Sequence, residues 1–155
     1  MTPEAHHTLA IEMNQQVWRL LGIEDRTEID NRKLEHFALA SLYHWQHSPK
    51  FAPVNAQRGH WLLARVYAVL NAPQKAMAHA QQCMELTETL QLKDFDLAYA
   101  HEALARAHAC EGSHSEALTH RQLAVHAGDD IAGEKDRTYF MSDLKEQPWF
   151  GLESE

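Results

Sequence analysis

Cysteine, glycine and proline are scarce in this chain of 155 residues, which has two, six and five of them. Cys83 and Cys110 form no CxxC motif, and each lies in a stretch with helical periodicity. This argues against a disulfide framework and favours two free thiols in a reducing compartment. The few glycines and prolines stand mostly between apolar-periodic stretches, which is typical of helices joined by short connections.

Long apolar runs and basic clusters are also lacking. No run approaches the length of a membrane span, and the first residues, MTPEAHHTLA, do not have the basic-then-apolar order of a signal peptide. We therefore expect a cytoplasmic protein without a membrane partner. The chain has 14 Lys and Arg against 22 Asp and Glu, a formal net charge of −8. Because phosphate neutralisation requires clustered Lys and Arg, this balance argues against a nucleic-acid partner.

Signatures of catalysis and metal binding are missing as well. The sequence contains no GxSxG, no glycine-rich phosphate loop and no HExxH, so we predict no catalytic residues, no enzyme activity and no cofactor. Among twelve histidines, His44 and His47 have the spacing of two ligands on one helix, but no second pair matches them. We therefore predict no metal site, and we expect His79 and His120 on exposed helix surfaces.

The strongest pattern present is an internal repeat with an offset of 41 residues. Residues 60–81 return as residues 101–122, with eight identities in 22 positions. The identical pairs are His60/His101, Leu63/Leu104, Ala64/Ala105, Arg65/Arg106, Ala68/Ala109, Ala76/Ala117, His79/His120 and Gln81/Gln122. Each copy breaks midway, which predicts a helix-turn-helix unit that must stack on its neighbours to bury its apolar face.

The apolar periodicity predicts an all-α protein of about seven helices, stacked as antiparallel hairpins. The helices are predicted at about residues 3–21, 28–47, 55–71, 73–90, 95–110, 113–128 and 131–145. Thr2 is expected to cap the first, and capping boxes are expected at Thr27/Asp30 and Ser113/Glu116. No segment alternates with period two, so no sheet is predicted. We expect one domain over residues 1–147 and an irregular acidic tail over 148–155.

The repeat resembles the tetratricopeptide repeat (TPR) family over about residues 57–127, with residues 1–47 as a degenerate third hairpin. The matching positions are Leu63-Ala64, Tyr67 and Ala76 in one unit, and Leu104-Ala105, His108 and Ala117 in the next. The sequence departs from the family where His60 and His101 replace a large aromatic residue. It also lacks the proline that ends the second helix, and an insert around TETLQLKDFD lengthens the period. The segments ASLYHW and ARVYAVL also resemble a group of uncharacterised bacterial helical proteins.

The TPR resemblance implies ligand-facing positions on the first helix of each unit. Carried over, these are Arg58, Trp61, Arg65 and Val69, and then Tyr99, Glu102, Arg106 and Cys110. Stacked repeats would place Arg65 and Arg106 about 10 Å apart, where they could clamp a carboxylate or phosphate between aromatic walls. Alternatively, either arginine pairs with Glu102 and ties adjacent hairpins together. His44 is a further candidate for the same groove.

Two classes of function remain open. In the first, the protein is a non-catalytic interaction module whose groove binds a protein or peptide partner, with a carboxylate of that partner at Arg65 and Arg106. In the second, the same residues line a closed pocket for a small anionic molecule. An open groove would favour the first and a deep pocket the second. Self-association through an uncapped end is a third possibility, and the seventh helix argues against it.

Overall fold

The structure is a computed structural model that describes residues 1–152. Seven α-helices with short connections make up most of this range. They are α1 (Pro3–Leu21), α2 (Glu28–Gln46), α3 (Pro53–Val69), α4 (Pro73–Thr89), α5 (Asp94–Glu111), α6 (His114–Asp129) and α7 (Glu134–Lys145). No strand occurs within residues 1–152, so the prediction of an all-α protein with about seven helices is confirmed. None of these described helices combines the length and apolar character that a membrane crossing requires.

Side-chain caps fix the starts of the first two helices. The Thr2 hydroxyl accepts a hydrogen bond from the Ala5 amide at 3.1 Å. Thr27 and Asp30 form the predicted capping box, in which each side chain accepts from the other residue's backbone amide. These bonds satisfy amide groups that have no partner inside a helix, so both cap predictions are confirmed.

The capping box predicted at the start of α6 is wrong. Ser113 is the residue before the helix, but its side chain accepts no bond from the first turn. Its hydroxyl donates instead to the Glu111 carboxylate at 3.1 Å. The Ser113 side chain is therefore turned towards Glu111, and its backbone amide donates to the His108 carbonyl at 2.9 Å instead of to the Glu116 side chain.

The two repeated hairpins turn in the same way. Asn71 and Gly112, which are equivalent at the 41-residue offset, have φ angles of 55° and 85° in the left-handed region. After each of them, a backbone amide bonds back to a carbonyl five residues earlier, at 2.8 Å to Tyr67 and 2.9 Å to His108. This is the Schellman type of helix ending, which favours glycine or asparagine at the left-handed position.

The helices form three antiparallel hairpins, α1–α2, α3–α4 and α5–α6, that stack in chain order. The start of each hairpin lies beside its end, as in the 3.0 Å hydrogen bond between Gln57 on α3 and Thr87 on α4. Successive hairpins meet through α2 against α3 and α4 against α5. In addition α5 lies beside both α3 and α7, so the predicted stack of hairpins is confirmed.

Alanine is buried at equivalent positions of the repeated helices. Ala64 and Ala76 are almost fully buried in the first copy, and so are their equivalents Ala105 and Ala117 in the second. Small side chains at facing positions let helices approach closely and leave the larger apolar residues to fill the layers between hairpins. These larger residues include Val17, Leu20, Leu34, Leu63 and Val66.

Packing continues past residue 147. Trp149 is buried, and its indole N–H donates to the Leu144 carbonyl at 2.9 Å. The guanidinium groups of Arg106 and Arg121 lie 4.1 and 4.5 Å from the Trp149 ring. The segment after α7 is therefore irregular but attached to the core through Trp149. Residues 153–155 of the expected tail lie outside the described residues.

Candidate partner-binding groove

Four helices, α1, α3, α5 and α7, border a groove that contains a pocket of about 600 Å³. We call it the aromatic pocket. It is lined by Asn14, Trp18, Gln57, Arg58, Trp61, Leu62, Phe95, Asp96, Tyr99, Tyr139 and Asp143. Each of the four helices contributes to this wall, so the pocket exists only in the stacked structure.

Aromatic rings form a continuous row across the groove. Trp18 stacks on Trp61 with 5.9 Å between ring centroids, and Trp61 meets the edge of Tyr99 at 5.0 Å. Trp18 is 43% exposed, and Tyr139 on the opposite wall is 67% exposed. The row therefore begins in the interior at Tyr99 and opens to solvent at Trp18.

The buried carboxylate of Glu102 lines neither pocket but bonds to Trp61, which lines the aromatic pocket. Glu102 accepts hydrogen bonds from the Trp61 indole and from Nε of Arg106, both at 2.8 Å. Arg65 lies 3.8 Å from the same carboxylate. The structure thus brings together Trp61, Arg65, Glu102 and Arg106, in the arrangement in which the arginines pair with Glu102 and join adjacent hairpins.

Arg106 is fully engaged by the protein. It is 1% exposed, and besides Glu102 it donates to the carbonyls of Glu146 and Pro148 at 2.8 and 2.9 Å. Burial lowers the pKa of Arg106 to about 10, although Glu102 opposes this shift. Binding of a ligand by Arg106 stays a prediction, and it would require displacement of these partners.

Arg65 is held by fewer contacts within the protein than Arg106. Its ion pair with Glu102 at 3.8 Å is longer than a hydrogen bond. Although only 9% exposed, it lines a second pocket of about 630 Å³, which we call the Arg65 pocket. That pocket is lined by Trp18, Leu21, Gly22, Ile23, Glu24, Arg26, Arg65, Val69, Asp143, Glu146, Gln147 and Pro148. Of the two repeated arginines, Arg65 is the one that faces open space.

The charged residues of the aromatic pocket are Arg58, Asp96 and Asp143. Arg58 forms a bidentate ion pair with Asp96, at 3.1 and 3.2 Å, and its guanidinium lies 5.1 Å from the Phe95 ring. The Tyr99 hydroxyl donates to Asp143, and burial together with this bond raises the pKa of Tyr99. Arg58 and Tyr99 therefore line the groove, each held by a carboxylate.

Eight of the eleven residues that line the aromatic pocket were not predicted from the sequence, among them Trp18, Asp96, Tyr139 and Asp143. Trp18 lies beside the buried stripe of α1 rather than in it. A large aromatic residue at such a position indicates a candidate binding residue. Tyr139 and Asp143 are four residues apart and therefore share one face of α7. From the sequence, the seventh helix is expected only to oppose self-association at the end of the stack, and no repeat relates its groove face to the other helices.

His44 and Cys110 lie outside both pockets. Nδ1 of His44 is 2.8 Å from Nδ1 of His6, in a cluster with Tyr43 and His47 where α1 and α2 meet. The thiol of Cys110 lies 3.8 Å from the Asn71 side chain. The groove that contains Arg65 therefore does not include His44, whereas Val69 lines the Arg65 pocket.

The repeated histidines lie between helices. Nδ1 of His60 and Nδ1 of His79 are 3.0 Å apart, and burial lowers the pKa of His79 to about 4. His101 and His120 stack in the second copy. Both His79 and His120 are half-buried, so the prediction that they are exposed is wrong. Within residues 1–152 no three His, Cys, Asp or Glu side chains are arranged to hold a metal ion.

Comparisons with known proteins supply no relative for this groove. No protein-family model matches the chain, and neither the curated proteins nor the solved structures contain a match. The function is therefore argued from the geometry of the two pockets and from the side chains that line them.

Proposed function

We propose that this chain is a non-catalytic, TPR-like interaction module that binds a peptide segment of a partner protein in its groove. The observation that carries the proposal is the aromatic pocket, in which Trp18 and Tyr139 remain 43% and 67% exposed. Exposed aromatic residues that surround a pocket are typical of binding surfaces, because their burial by a partner contributes most of the binding energy.

The length of the groove favours an extended segment. The aromatic pocket and the Arg65 pocket, each of about 600 Å³, share Trp18 and Asp143 and are therefore neighbours along the same surface. Two connected open pockets fit successive side chains of a peptide better than they enclose a single compact molecule.

Arg65 supplies an anchor for a carboxylate on that segment. Its guanidinium faces the Arg65 pocket and is held by Glu102 only at 3.8 Å, so N–H groups remain for a second acceptor. A guanidinium binds a carboxylate through two parallel hydrogen bonds, which makes a side-chain or C-terminal carboxylate of the partner the matching group. Arg106 would support Arg65 from behind by compensating the charge of Glu102.

A displayed library of random peptides with free C termini tests this function. We expect the wild type to enrich a family of related sequences that a Trp18→Ala/Tyr139→Ala variant no longer binds. Leu123→Ala is the matched control, since Leu123 is an exposed apolar residue of α6 outside both pockets. Enriched peptides that bind the double variant as tightly as the control would contradict the proposal, as would a failure to enrich any family.

A small anionic ligand in the Arg65 pocket is the second candidate function. It is favoured by the position of Arg65, a 9% exposed cation that faces a pocket of about 630 Å³. A thermal-shift series with phosphate, citrate and short dicarboxylates tests it. Stabilisation by one compound that Arg65→Gln abolishes and Trp18→Ala/Tyr139→Ala retains would support this function. No stabilisation by any of them would exclude these anions.

A further inference from the structure

Five aromatic residues line the aromatic pocket, a number that suits a cation. Trp18, Trp61, Phe95, Tyr99 and Tyr139 all line it. The faces of aromatic rings carry partial negative charge and attract ammonium and guanidinium groups, with tryptophan the strongest. Five rings around one pocket therefore favour a positively charged occupant over a neutral polar one.

The formal charges of the pocket also favour a positively charged occupant. Arg58 and Asp96 neutralise each other in their bidentate pair. Asp143 accepts a bond from the Tyr99 hydroxyl but has no Lys, Arg or His within ion-pair distance among the described residues. One carboxylate without a direct ion-pair partner is thus left on the wall of an aromatic pocket, where a cation placed close to it is attracted.

A buried hydrogen-bond acceptor without a donor belongs to Gln57, another residue that lines the pocket. Gln57 is buried, and its amide nitrogen donates to Thr87 at 3.0 Å and to the Asp96 carbonyl at 3.2 Å, which fixes the orientation of the amide. Its Oε1 has no hydrogen-bond partner among the described residues. A buried acceptor is stabilised by a donor, and an N–H group is one such donor.

The protein itself shows that guanidinium groups suit its aromatic surfaces. Arg58 lies over Phe95 at the edge of the pocket, and Arg106 and Arg121 both lie over Trp149. A guanidinium is planar, stacks on rings and carries five donors at its edge. An ammonium group lacks this planar face, so arginine is the better match for stacked indoles together with two acceptors.

We infer that the aromatic pocket binds an arginine side chain of the partner segment, with its guanidinium against Trp18 and Trp61 and its N–H groups directed to Asp143. This inference rests on the proposed function, since it specifies one side chain of the peptide that the groove accepts. Arginine in the aromatic pocket and a carboxylate at Arg65 would together fix the direction of the bound segment.

Titration of the full chain with short capped peptides tests the inference. The probes are acetyl-Ala-Ala-X-Ala-Ala-amide, in which X is arginine, lysine or citrulline, the neutral isostere of arginine. Binding is followed by NMR through the indole N–H signals of Trp18 and Trp61. We expect the arginine peptide to shift both signals and to bind at least about tenfold more tightly than the citrulline peptide. The lysine peptide should lie between the two.

Two charge-removing variants on α7 distinguish binding in the aromatic pocket from general attraction of a basic peptide to an acidic protein. Asp143→Asn keeps the shape of the side chain but removes its charge. We expect it to reduce the affinity for the arginine peptide at least about fivefold, because one charge-assisted hydrogen bond is weakened. Glu134→Gln, at an exposed position outside both pockets, should leave binding unchanged. Equal losses in the two variants, or equal binding of arginine and citrulline, would overturn the inference.

The result is distinguishable from failure of the proposed function. If the random library yields groove-dependent peptides without arginine, the peptide-binding function stands and the arginine inference fails. If neither the library nor the short peptides bind in the groove, both fail. If the enriched family has arginine at one fixed position and Asp143→Asn weakens it, both are supported.

Discussion

The buried carboxylate of Glu102 contacts three side chains, Trp61 and Arg65 on α3 and Arg106 on α5. Two of these, Arg65 and Arg106, are cations, so the cluster has one positive charge more than the carboxylate compensates. A buried charge is tolerated when it is paired and when its remaining hydrogen-bonding groups are satisfied. Arg106 meets this condition through backbone carbonyls at the end of α7, where the helix dipole attracts a cation.

Replacement of Glu102 by glutamine should therefore be among the most destabilising conservative substitutions in the chain. Glu102→Gln keeps the volume but leaves Arg65 and Arg106 buried without a carboxylate, and we expect a loss of about 3 kcal/mol in the free energy of unfolding. Urea unfolding followed by circular dichroism measures it. Glu85→Gln, at an exposed position of α4, should change the free energy by less than about 0.5 kcal/mol.

The pair His60/His79 should make stability depend on pH. Burial, and then the neighbouring His60, lower the pKa of His79 from 6.5 to about 4. Between these values the unfolded chain binds a proton that the folded chain does not, so the stability present above pH 6.5 is lost as the pH falls towards 4. We expect the urea midpoint to decrease from pH 7 to pH 5.

A double substitution isolates this contribution. His60→Gln/His79→Gln removes both titrating rings from the interface of α3 and α4, and the decrease between pH 7 and pH 5 should become shallower. His114→Gln, on an exposed residue of α6, is the control and should retain the wild-type slope. A slope that is identical in all three proteins would show that other groups cause the dependence.

At the scale of single elements, the left-handed position that ends the first helix of each repeated hairpin is the most informative. A Cβ atom on Gly112 would meet no atom within 4 Å, so its φ of 85° is the sole obstacle to a side chain there. We expect Gly112→Ala to cost about 1 kcal/mol. Asn71→Gly, at the equivalent turn, should have an effect of the opposite sign and smaller size, and thermal unfolding of both variants measures the difference.

The helices could be predicted from the sequence because their signals are local. The period of 3.6, Pro73 at the start of α4 and the cap at Thr27 each act within one or two turns of helix. The Ser113 cap failed because a local signal does not reveal which way the hydroxyl turns, here towards Glu111. The stacking of hairpins was predictable from the repeat, since neither copy can bury its apolar stripe alone.

The site could be predicted only in part. An offset of 41 residues brings equivalent positions side by side, so Trp61, Arg65, Glu102 and Arg106 were found together. The role of each was not predictable, because the burial of Arg106 depends on contacts with the segment after α7. That segment lies outside the repeat, and nothing in the repeat fixes its position.

At the scale of the whole molecule, the stack is closed at one end. In a stack of hairpins each unit contacts only its neighbours, which makes the terminal units the least stable. Here the segment after α7 returns to α5, where Arg106 donates to the Glu146 and Pro148 carbonyls and covers Trp149. The same helix α7 provides Tyr139 and Asp143 to the groove. Stability of this end and the shape of the aromatic pocket are therefore coupled.

Trp149→Ala should expose this coupling. Removal of the buried ring leaves a cavity under Arg106 and Arg121, and we expect a loss of about 3–5 kcal/mol in the free energy of unfolding. Because α7 loses its attachment, amide exchange should accelerate in α7 and in α5, and groove-dependent peptides should bind more weakly. Val17→Ala, in the core of α1, should accelerate exchange at the opposite end of the stack instead. Equal exchange patterns in the two variants would mean that the whole chain unfolds as one unit, and that α7 has no separate influence on the groove.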